Sequence, residues 1–481
     1  MSKTHANPLA AINHIVVLML ENRSFDHMLG FLYADTGNVS TAGQPFEGLK
    51  GTESNPGANG AAPVSVFKIP PATTSTYFQP GADPGEGYTA TNAQLFDSNT
   101  APTPPVATNQ GFVANYAYTL GWEATEKWSI LTGTVAGDIM GMHTPDTLPV
   151  LSALARGFAV CDHWYGSVPT ETLPNRAFVH AGTSQGHMDD KTKAFTAPTI
   201  YTSLGKLGVS WMIYGYDADP LTRVTFADLT SAPDANFSQF SDFQTAAAKG
   251  TLASYTFLEP SWGSSGNSQH PNYDVALGEQ LIHDVYVALR NGPLWNQTLL
   301  IITYDEHGGC YDHVPPPSGS VPPDSTAGEY GFDFKRFGPR VPTVLVSPLI
   351  PAGTVFRAPA AMPFDHTSIL STVEQRWNVP ALTARDVSAP GVGAVLSLAT
   401  PRTDDPLAGV VVPASKGTNP AAGRPSHLQQ VYAGLVARLP VAGEVADSHE
   451  LPALHTETDY HDYITRRLAA WKAGRRPSGQ A

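Results

Sequence analysis

Short apolar runs along the chain predict buried β-strands. The first, His14–Leu20 (HIVVLML), is rich in β-branched residues and ends at a charged turn. Strands that are covered on both faces read as uninterrupted apolar runs of this kind. The pattern recurs at residues 209–214, 254–258, 299–304 and 341–347. We therefore expect at least five strands in one buried sheet.

Between these runs, apolar residues recur at helical spacing. Such stretches cover residues 147–156, 274–290 (whose first residue, an aspartate, is a good N-cap) and 367–377. Two more helices are predicted at residues 426–439 and 458–474. Buried strands that alternate with amphipathic helices predict an α/β fold with a mostly parallel central sheet flanked by helices.

Three long segments, residues 36–115, 314–340 and 384–425, show little periodicity. Long loops tend to serve a function, and aromatic residues punctuate the first segment, so we expect the first two to be ordered walls of a site. We further expect residues 1–400 to form one catalytic unit. Residues 401–481 would then be a loop and helical C-terminal extension packed on it.

Acidic residues outnumber basic ones, 42 to 28, which gives a formal net charge of −14. Nucleic-acid-binding proteins normally present a basic surface to the phosphates, so this class is disfavoured. The chain shows no transmembrane segment, and no early apolar run reaches the roughly 7–15 residues of a signal-peptide core. We therefore expect a cytoplasmic protein, unless a leader has been removed.

Two further features leave alternatives open. Cys161 and Cys310 are too few for a disulfide framework, and we expect two buried free thiols, with a single bridge as the alternative. The last predicted helix is basic, and this end is either a solvated helix face or a weak anchor for an anionic membrane surface. Its basic residues are Arg466, Arg467, Lys472, Arg475 and Arg476.

Oxygen-bearing side chains directly follow two of the predicted strands. Glu21 and Asn22 follow the first strand, and Asp305 and Glu306 follow the run at 299–304. Adjacent carboxylates repel one another unless a cation or hydrogen-bond donors compensate. An all-oxygen set suits a hard divalent ion such as Mg, Ca or Mn better than Zn. The alternative for the first cluster is that its residues cap a following helix.

Thr172 is a candidate nucleophile, two residues before Pro174 in the segment TLPNR. The proline could hold Thr172 on a rigid turn, with Asn175 and Arg176 opening a helix. A hydroxyl is a poor nucleophile unless a base or a metal lowers its pKa. Thr172 can therefore act as a nucleophile only if it lies beside a cluster such as the carboxylates above. The alternative is that Thr172 is an ordinary helix-cap or turn residue.

Taken together, these motifs resemble those of the bacterial phospholipase C and acid phosphatase phosphoesterase family, a branch of the alkaline-phosphatase-like superfamily. The resemblance covers about residues 12–380, with the motifs in family order. The matching segments are ENRSFDH at 21–27, CDH at 161–163 leading to TLPNR at 172–176, TYDEHGG at 303–309 leading to YDHVPP at 311–316, and FDHTS at 364–368.

The resemblance implies an alkaline-phosphatase-like fold and a single-ion site. The ion, whose identity is open among Mg, Ca, Mn and Zn, would be held by Glu21, Asn22, Thr172, Asp305 and Glu306. The resemblance also implies that Thr172 attacks phosphorus and briefly becomes a phosphoenzyme.

Histidines are the candidates for proton transfer and for stabilising charge on the phosphoryl oxygens. His270 matches a His-Pro feature of the family, and His313 follows the second carboxylate cluster. His143 lies in a Gly-rich turn, and His366 follows Asp365, which could orient its ring. A solvated or structural role is the alternative for each, above all for His366.

We therefore expect a metal-dependent phosphoric ester hydrolase acting on a small-molecule or phospholipid phosphate ester. Phospholipid diesters and soluble phosphomonoesters both remain open as substrates. The C-terminal β-type repeats of large phospholipases C are not evident, which favours a smaller phosphatase-like or broad phosphodiester-cleaving enzyme. A non-catalytic metal- or lipid-binding protein on the same fold is the alternative of another class. Neither cysteine has the C/S-x-P-x-R context of sulfatases, and the oligomeric state is not predicted.

Overall fold

The computed structural model describes residues 7–126, 129–191, 194–359, 361–441 and 451–475. Its centre is an eight-stranded sheet. The strands in chain order are β1 (His14–Leu20), β2 (Ala159–Cys161), β3 (Trp211–Gly215), β4 (Phe237–Gln239), β5 (Tyr255–Leu258), β6 (Thr298–Tyr304), β7 (Thr343–Val346) and β8 (Thr354–Val355).

The strands lie in the order β8-β2-β7-β6-β1-β5-β3-β4. The run from β6 to β4 is parallel throughout, β7 is antiparallel to both of its neighbours, and β8 is parallel to β2. The predicted mostly parallel sheet is therefore confirmed. All seven residues of β6 are buried, which explains why its sequence is an uninterrupted apolar run.

Helices cover the sheet. They are α1 (Phe25–Leu29), α2 (Tyr88–Phe96), α3 (Phe112–Glu126), α4 (Pro149–Gly157), α5 (Thr172–Ala181), α6 (Ile200–Lys206), α7 (Leu221–Thr225), α8 (Ala227–Thr230), α9 (Phe240–Lys249), α10 (Val275–Arg290), α11 (Thr367–Trp377), α12 (Ala384–Ser388), α13 (His427–Ala437) and α14 (Glu457–Arg475). The five predicted strands and five predicted helices are confirmed within two residues at each end. Asp274 caps α10 by accepting from the backbone N of Ala276 at 3.0 Å.

The segment 36–115 is more regular than the sequence predicts, because it contains α2 and the start of α3. The buried face of α2 carries Thr91, Asn92 and Gln94 beside Leu95, so its burial leaves no apolar periodicity. Helix α5 also begins earlier than expected, at Thr172, since a proline is compatible with the first turn of a helix. Both cysteines are buried free thiols, as expected.

The two C-terminal helices pack on the body of the molecule. The hydroxyl of Tyr432 in α13 donates to the carbonyl of Asp219 at 2.6 Å. In α14, Lys472 forms an ion pair with Asp219 at 2.5 Å, and Arg475 donates to the carbonyl of Ala232 at 2.9 Å. These basic side chains therefore help to hold α14 in place, whereas Arg476 lies outside the described residues. None of the described helices combines the length and the apolar character that crossing a membrane requires.

Candidate active site

The carboxyl ends of β1 and β6 lie side by side in the sheet, with Leu20 paired to Tyr304. The residues that follow each strand therefore emerge at the same edge, where ligands bind in open α/β sheets. The backbone N of Asn22 donates to Oδ1 of Asp305 at 2.9 Å. The structure thus brings the two clusters together through the packing of adjacent strands.

Thr172 is the first residue of α5 and is 1% exposed. Its hydroxyl donates to Oδ1 of Asn22 at 3.1 Å. Asn22 has a φ of 57°, a left-handed conformation that asparagine tolerates better than most residues. The N-terminal end of a helix also favours negative charge, so Thr172 lies where its hydroxyl oxygen can become anionic.

Asp305 is fully buried but well compensated. It accepts from the backbone N of Asn22 and of Glu306, the latter at 2.8 Å, and from Nε of Arg176 at 2.9 Å. The guanidinium of Arg176 also lies over the ring of Trp262, at 4.6 Å from its centroid. Asp305 is therefore held in place by hydrogen-bond donors on several sides.

The neighbouring carboxyls, Glu21 and Glu306, are less fully compensated. Burial, together with the charge of Asp305, raises the pKa of Glu21 to about 8 and the pKa of Glu306 well above its usual range. Oε2 of Glu306 accepts from the backbone N of Gly308 at 2.7 Å. Its Oε1 is buried and has no hydrogen-bond partner within the described part of the chain. Buried carboxyls that disfavour their own ionisation mark a place where a cation would be stabilised.

Two acidic residues that the sequence analysis did not single out also border this site. Glu86 accepts a hydrogen bond from Nδ2 of Asn22 and lies 3.7 Å from Nε2 of His270. Oδ1 of Asp83 lies 3.9 Å from Nδ1 of the same ring. Burial and nearby carboxylates raise the pKa of both acids well above the usual range. The only indication in the sequence was that both residues lie in the segment 36–115, which was expected to form a wall of the site.

The donor chemistry fits a hard divalent cation. Glu21, Asn22, Thr172, Asp305 and Glu306 present oxygen atoms at the ends of two adjacent strands and one helix, and Oε1 of Glu306 lacks a protein donor. Hard cations such as Mg and Ca prefer such oxygen sets.

The model of the phosphoesterase family matches residues 12–380, a span that contains both strand ends and Thr172. The chain belongs to the phosphoesterase family. Similar curated proteins are phospholipases. Non-specific phospholipase C6 of Arabidopsis thaliana is 36% identical over 429 residues, which are 85% of this chain and 77% of the relative. Non-specific phospholipase C1 of the same plant is 38% identical over 397 residues, with coverage of 79% and 69%.

Phospholipase C A of Mycobacterium tuberculosis is 28% identical over 443 residues, which are 82% of this chain and 78% of the relative. The relatives of this phosphoesterase therefore include plant as well as bacterial proteins, a wider range than the sequence motifs suggested. The family and these relatives together show that the chain is a phosphoric ester hydrolase.

Solved structures overlap with this phosphoesterase over part of its length. A protein in the alkaline phosphatase superfamily from Vibrio parahaemolyticus is 14% identical, covers 50% of this chain and 64% of its own, and has a TM-score of 0.31. The phosphonate monoester hydrolase of Agrobacterium radiobacter is 13% identical, with coverage of 52% and 72% and a TM-score of 0.30.

Two of the four candidate histidines of this phosphoesterase adjoin the site. His270 is 5% exposed, and its Nδ1 lies 3.1 Å from the carbonyl oxygen of Pro271, with Nε2 towards Glu86. His366 is fully buried, and its Nε2 lies 2.5 Å from the carbonyl oxygen of Asp305. His270 therefore lies among the side chains of the site, whereas His366 contacts its backbone from behind.

His313 lies in a separate ion-pair network. Its Nδ1 is 2.6 Å from Oδ2 of Asp26, which raises the pKa of His313. Arg340 forms ion pairs with Asp26 at 2.8 Å and with Asp312 at 2.9 Å. The positive charge of Arg340 already compensates Asp26 and Asp312, so a metal ion would stabilise these carboxylates less than it would stabilise uncompensated ones.

His143 is also separate from the site. It is fully buried, its Nδ1 lies 3.1 Å from the hydroxyl of Thr147, and its ring centroid is 5.1 Å from that of His27. Burial lowers the pKa of His143 to about 3. Within the described residues, neither His143 nor His313 forms a hydrogen bond with Thr172 or with the carboxylates at the strand ends.

Proposed function

We propose that this phosphoesterase is a metal-dependent phosphodiesterase of the phospholipase C type, with Thr172 as its nucleophile. The main support for the proposal is the hydrogen bond of 3.1 Å that the buried Thr172 hydroxyl donates to Oδ1 of Asn22. The phospholipase C names of the relatives support a diester substrate.

We propose that Glu21, Asn22, Thr172, Asp305 and Glu306 hold one divalent ion, and the oxygen-only donors favour Mg, Ca or Mn over Zn. A bound ion would supply positive charge that neutralises the carboxylates and favours the ionised form of the Thr172 hydroxyl. The orphan Oε1 of Glu306 and the raised pKa of Glu21 support this assignment.

In the first step, Oγ1 of Thr172 attacks phosphorus in line with the departing alcohol. The bond between Oγ1 and phosphorus forms as the bond between phosphorus and the leaving oxygen breaks, and the proton of the Thr172 hydroxyl is transferred to the leaving alkoxide. The remaining phosphate stays on Thr172 as a phosphoenzyme, still esterified to the second alcohol. In the second step, water attacks this phosphorus, the bond to Oγ1 breaks, and Thr172 regains its proton.

We assign the proton transfers to His270. The ring adjoins Glu86, which accepts from the Asn22 amide that in turn accepts from Thr172, so a continuous series of contacts joins His270 to the nucleophile. The other candidates receive positioning roles in this proposal. His366 supports the backbone of Asp305, His313 binds Asp26, and His143 packs against His27.

We also propose that residues 1–400 carry the chemistry, since every residue assigned to the mechanism lies there. The C-terminal extension lies close to the start of α5. Oδ1 of Asp190 accepts from the backbone N of Leu173 at 2.7 Å, and Nε2 of His427 in α13 lies 3.7 Å from Oδ2 of Asp190.

Hydrolysis of soluble phosphomonoesters is the alternative, and the phospholipase C names of the relatives favour the diester over it. We expect kcat/KM for p-nitrophenyl phosphorylcholine to exceed that for p-nitrophenyl phosphate by at least about tenfold. A preference for the monoester would contradict the phospholipase C assignment while leaving Thr172 as a candidate nucleophile.

The nucleophile is tested by Thr172→Ala and Thr172→Ser, assayed on p-nitrophenyl phosphorylcholine. We expect the alanine variant to lose about 10³-fold or more in kcat, and the serine variant to retain activity within about 30-fold, because serine keeps the hydroxyl. Thr170→Ala is the matched control, since the buried Thr170 hydroxyl donates to the carbonyl of Met188 at 2.7 Å, outside the oxygen cluster. An alanine variant within tenfold of wild type would exclude Thr172 as nucleophile.

A further inference from the structure

A cavity of about 570 Å³ lies between α2, the chain that follows α2 and the long segment 314–340. Its walls include Tyr88 and Asn92 of α2, together with side chains from residues 100–105 and 318–336. Its volume is typical of small-molecule sites. None of the residues assigned to the mechanism is among the described residues that line it. The cavity is therefore distinct from the proposed catalytic site.

The charged residues of this cavity are mainly basic. Lys335 and Arg336 line it, and Asp333 is the carboxylate among the described lining residues. Nζ of Lys335 lies 3.7 Å from Oδ2 of Asp333, with the two side chains 64% and 58% exposed, and so exposed a pair contributes little. The whole chain carries a formal charge of −14. A basic cavity in so acidic a protein favours an anionic ligand.

Arg336 is buried without a negatively charged partner. It is 8% exposed, and its Nη1 and Nη2 each donate to Oδ1 of Asn92 at 3.2 Å. Nη2 also donates to the hydroxyl of Tyr88 at 3.0 Å. Both acceptors are neutral, and no carboxylate of the described chain forms an ion pair with this guanidinium. A buried charge without a counter-ion is costly unless a ligand supplies the opposite charge.

Other buried arginines of the molecule are compensated differently. Arg176 and Arg340 each form an ion pair with an aspartate. Arg23 has no such pair, but it donates to the backbone carbonyl oxygens of three residues, Gln79, Gln269 and His270. The guanidinium of Arg336 has neither kind of acceptor within the described residues, and it lines a cavity that a ligand can enter.

Aromatic rings hold the Arg336 guanidinium in position. It lies 5.7 Å from the ring centroid of Tyr88 and 5.3 Å from those of Phe96 and Phe332. Such contacts attract the cation but leave its net charge in place. Tyr330, which is 59% exposed, stacks on Tyr88 with the centroids 5.5 Å apart. The cavity thus combines a fixed positive charge with apolar surface, which suits an organic ligand that carries an anionic group.

We propose that this cavity binds the phosphate group of a phosphomonoester through Arg336 and Lys335. Arginine and lysine are both common phosphate partners in proteins, and a dianion gains more from two cations than a carboxylate does. Thr103 and Ser318 add hydroxyl groups to the lining. The phosphate belongs either to a soluble phosphomonoester or to a lipid with a terminal phosphate. Binding here is separate from catalysis, so its test does not depend on the function proposed above.

The test measures how fast Lys335 of the wild-type protein is acetylated by an N-hydroxysuccinimide ester, followed by mass spectrometry of its peptides. Methylphosphonate is the soluble probe, because its dianion resembles a phosphomonoester and its bond between phosphorus and carbon is not an ester. We expect methylphosphonate to slow acetylation of Lys335 at least about threefold, compared with chloride at equal ionic strength. Lys249, an exposed lysine at the end of α9, is the internal control and should react at an unchanged rate.

Vesicles distinguish the two sources of the phosphate group. The carrier lipid is digalactosyldiacylglycerol, which contains no phosphate, with or without phosphatidic acid. Protection of Lys335 by methylphosphonate would support a soluble ligand, and protection only by vesicles that contain phosphatidic acid would support a lipid ligand. Protection by neither probe would overturn the proposal. Equal protection of Lys335 and Lys249 would also overturn it, because the effect would then not be specific to the cavity.

A variant tests the role of the guanidinium. Arg336→Met removes the charge and keeps a long apolar side chain. We expect the concentration of the protecting probe that gives half-maximal protection of Lys335 to rise at least about tenfold. Arg156→Met, at a position outside the cavity, should leave that concentration unchanged. An unchanged value in Arg336→Met would contradict the proposal, and if this variant does not fold, the footprint of the wild type still decides.

Discussion

The ion pair between Arg176 and Asp305 shows how one residue can hold a site together. Both side chains are buried, at 4% and 0% exposure, and Arg176 also donates to the carbonyl of Leu20 at 2.9 Å. The guanidinium therefore joins the start of α5 to the ends of β1 and β6. Removing one partner of a buried pair leaves the other charge uncompensated, which costs more than the pair itself contributes.

We predict that Arg176→Met lowers the free energy of unfolding by about 3–5 kcal/mol, measured by urea denaturation. The matched control is Arg156→Met, because Arg156 pairs with Asp35 at 2.8 Å with the two side chains 33% and 61% exposed. That substitution should cost about 1 kcal/mol or less. Equal costs for the two variants would show that burial of the Arg176 pair is unimportant.

The sequence motifs predicted the positions of site residues correctly where the pairing of neighbouring strands determines those positions. Glu21 and Asp305 adjoin because their strands are paired, and a polar residue after a buried strand is visible in the sequence. The sequence did not predict that Asp83 and Glu86 lie beside the site. Their position depends on how the segment 36–115 folds back over the sheet, and no local pattern encodes that path.

At the scale of elements, α4 and α10 are joined by a buried carboxyl. Glu279 of α10 accepts from the backbone N of Val150 at 2.7 Å and of Leu151 at 3.0 Å, at the start of α4. Helix N-termini present unpaired N–H groups that such a side chain can satisfy. Burial nevertheless raises the pKa of Glu279 from 4.5 to about 7.

This shift makes stability depend on pH. The folded chain holds the Glu279 proton up to about pH 7, whereas the unfolded chain releases it near pH 4.5. The free energy of unfolding should therefore fall as pH rises through this window, by about 3 kcal/mol from this group, and level off above it. Glu279→Gln should remove that part of the slope, measured by urea denaturation at pH 5 and pH 7.5. The exposed Glu126→Gln should keep the wild-type slope, and a similar slope in Glu279→Gln would contradict the assignment.

Element prediction succeeded where the buried face is apolar and failed where it is polar. Helix α11 was predicted at its observed bounds because Ile369, Leu370 and Val373 mark its buried face. Helix α2 was missed because it buries amides and hydroxyls. Gln94 shows why, since it donates to the carbonyl of Gly85 at 2.6 Å and contacts His307 at 2.7 Å, bonds that exist only in the folded molecule.

At the scale of the whole molecule, the C-terminal helices close one side of the fold. Trp471 of α14 is 2% exposed, and the guanidinium groups of Arg223 and Arg475 lie 4.7 and 4.6 Å from its ring centroid. The sequence left two roles open for the basic residues of α14, a solvated helix face and a membrane anchor. Lys472 and Arg475 in fact contact the body of the molecule and help to hold α14 on it. This could not be foreseen, because the partner groups lie more than 200 positions earlier in the chain.

We predict that Trp471→Ala lowers the free energy of unfolding by about 3–5 kcal/mol, since it removes a large buried side chain. Specific activity of the folded variant should match the wild type, because no residue assigned to the mechanism lies in α14. Val411→Ala, at a position that is 79% exposed, is the control and should cost no more than about 0.5 kcal/mol. A stable Trp471→Ala variant would contradict the proposed docking role.

The proposed mechanism requires that Thr172 becomes covalently phosphorylated during turnover, and acid quenching can trap that adduct. The enzyme is mixed with p-nitrophenyl phosphorylcholine, quenched in acid during turnover, digested and examined by mass spectrometry. We predict a phosphorylcholine adduct on the peptide that contains Thr172, located at that threonine and absent from Thr172→Ala. An adduct on a different residue, or a burst of p-nitrophenolate without any adduct on Thr172, would contradict the mechanism.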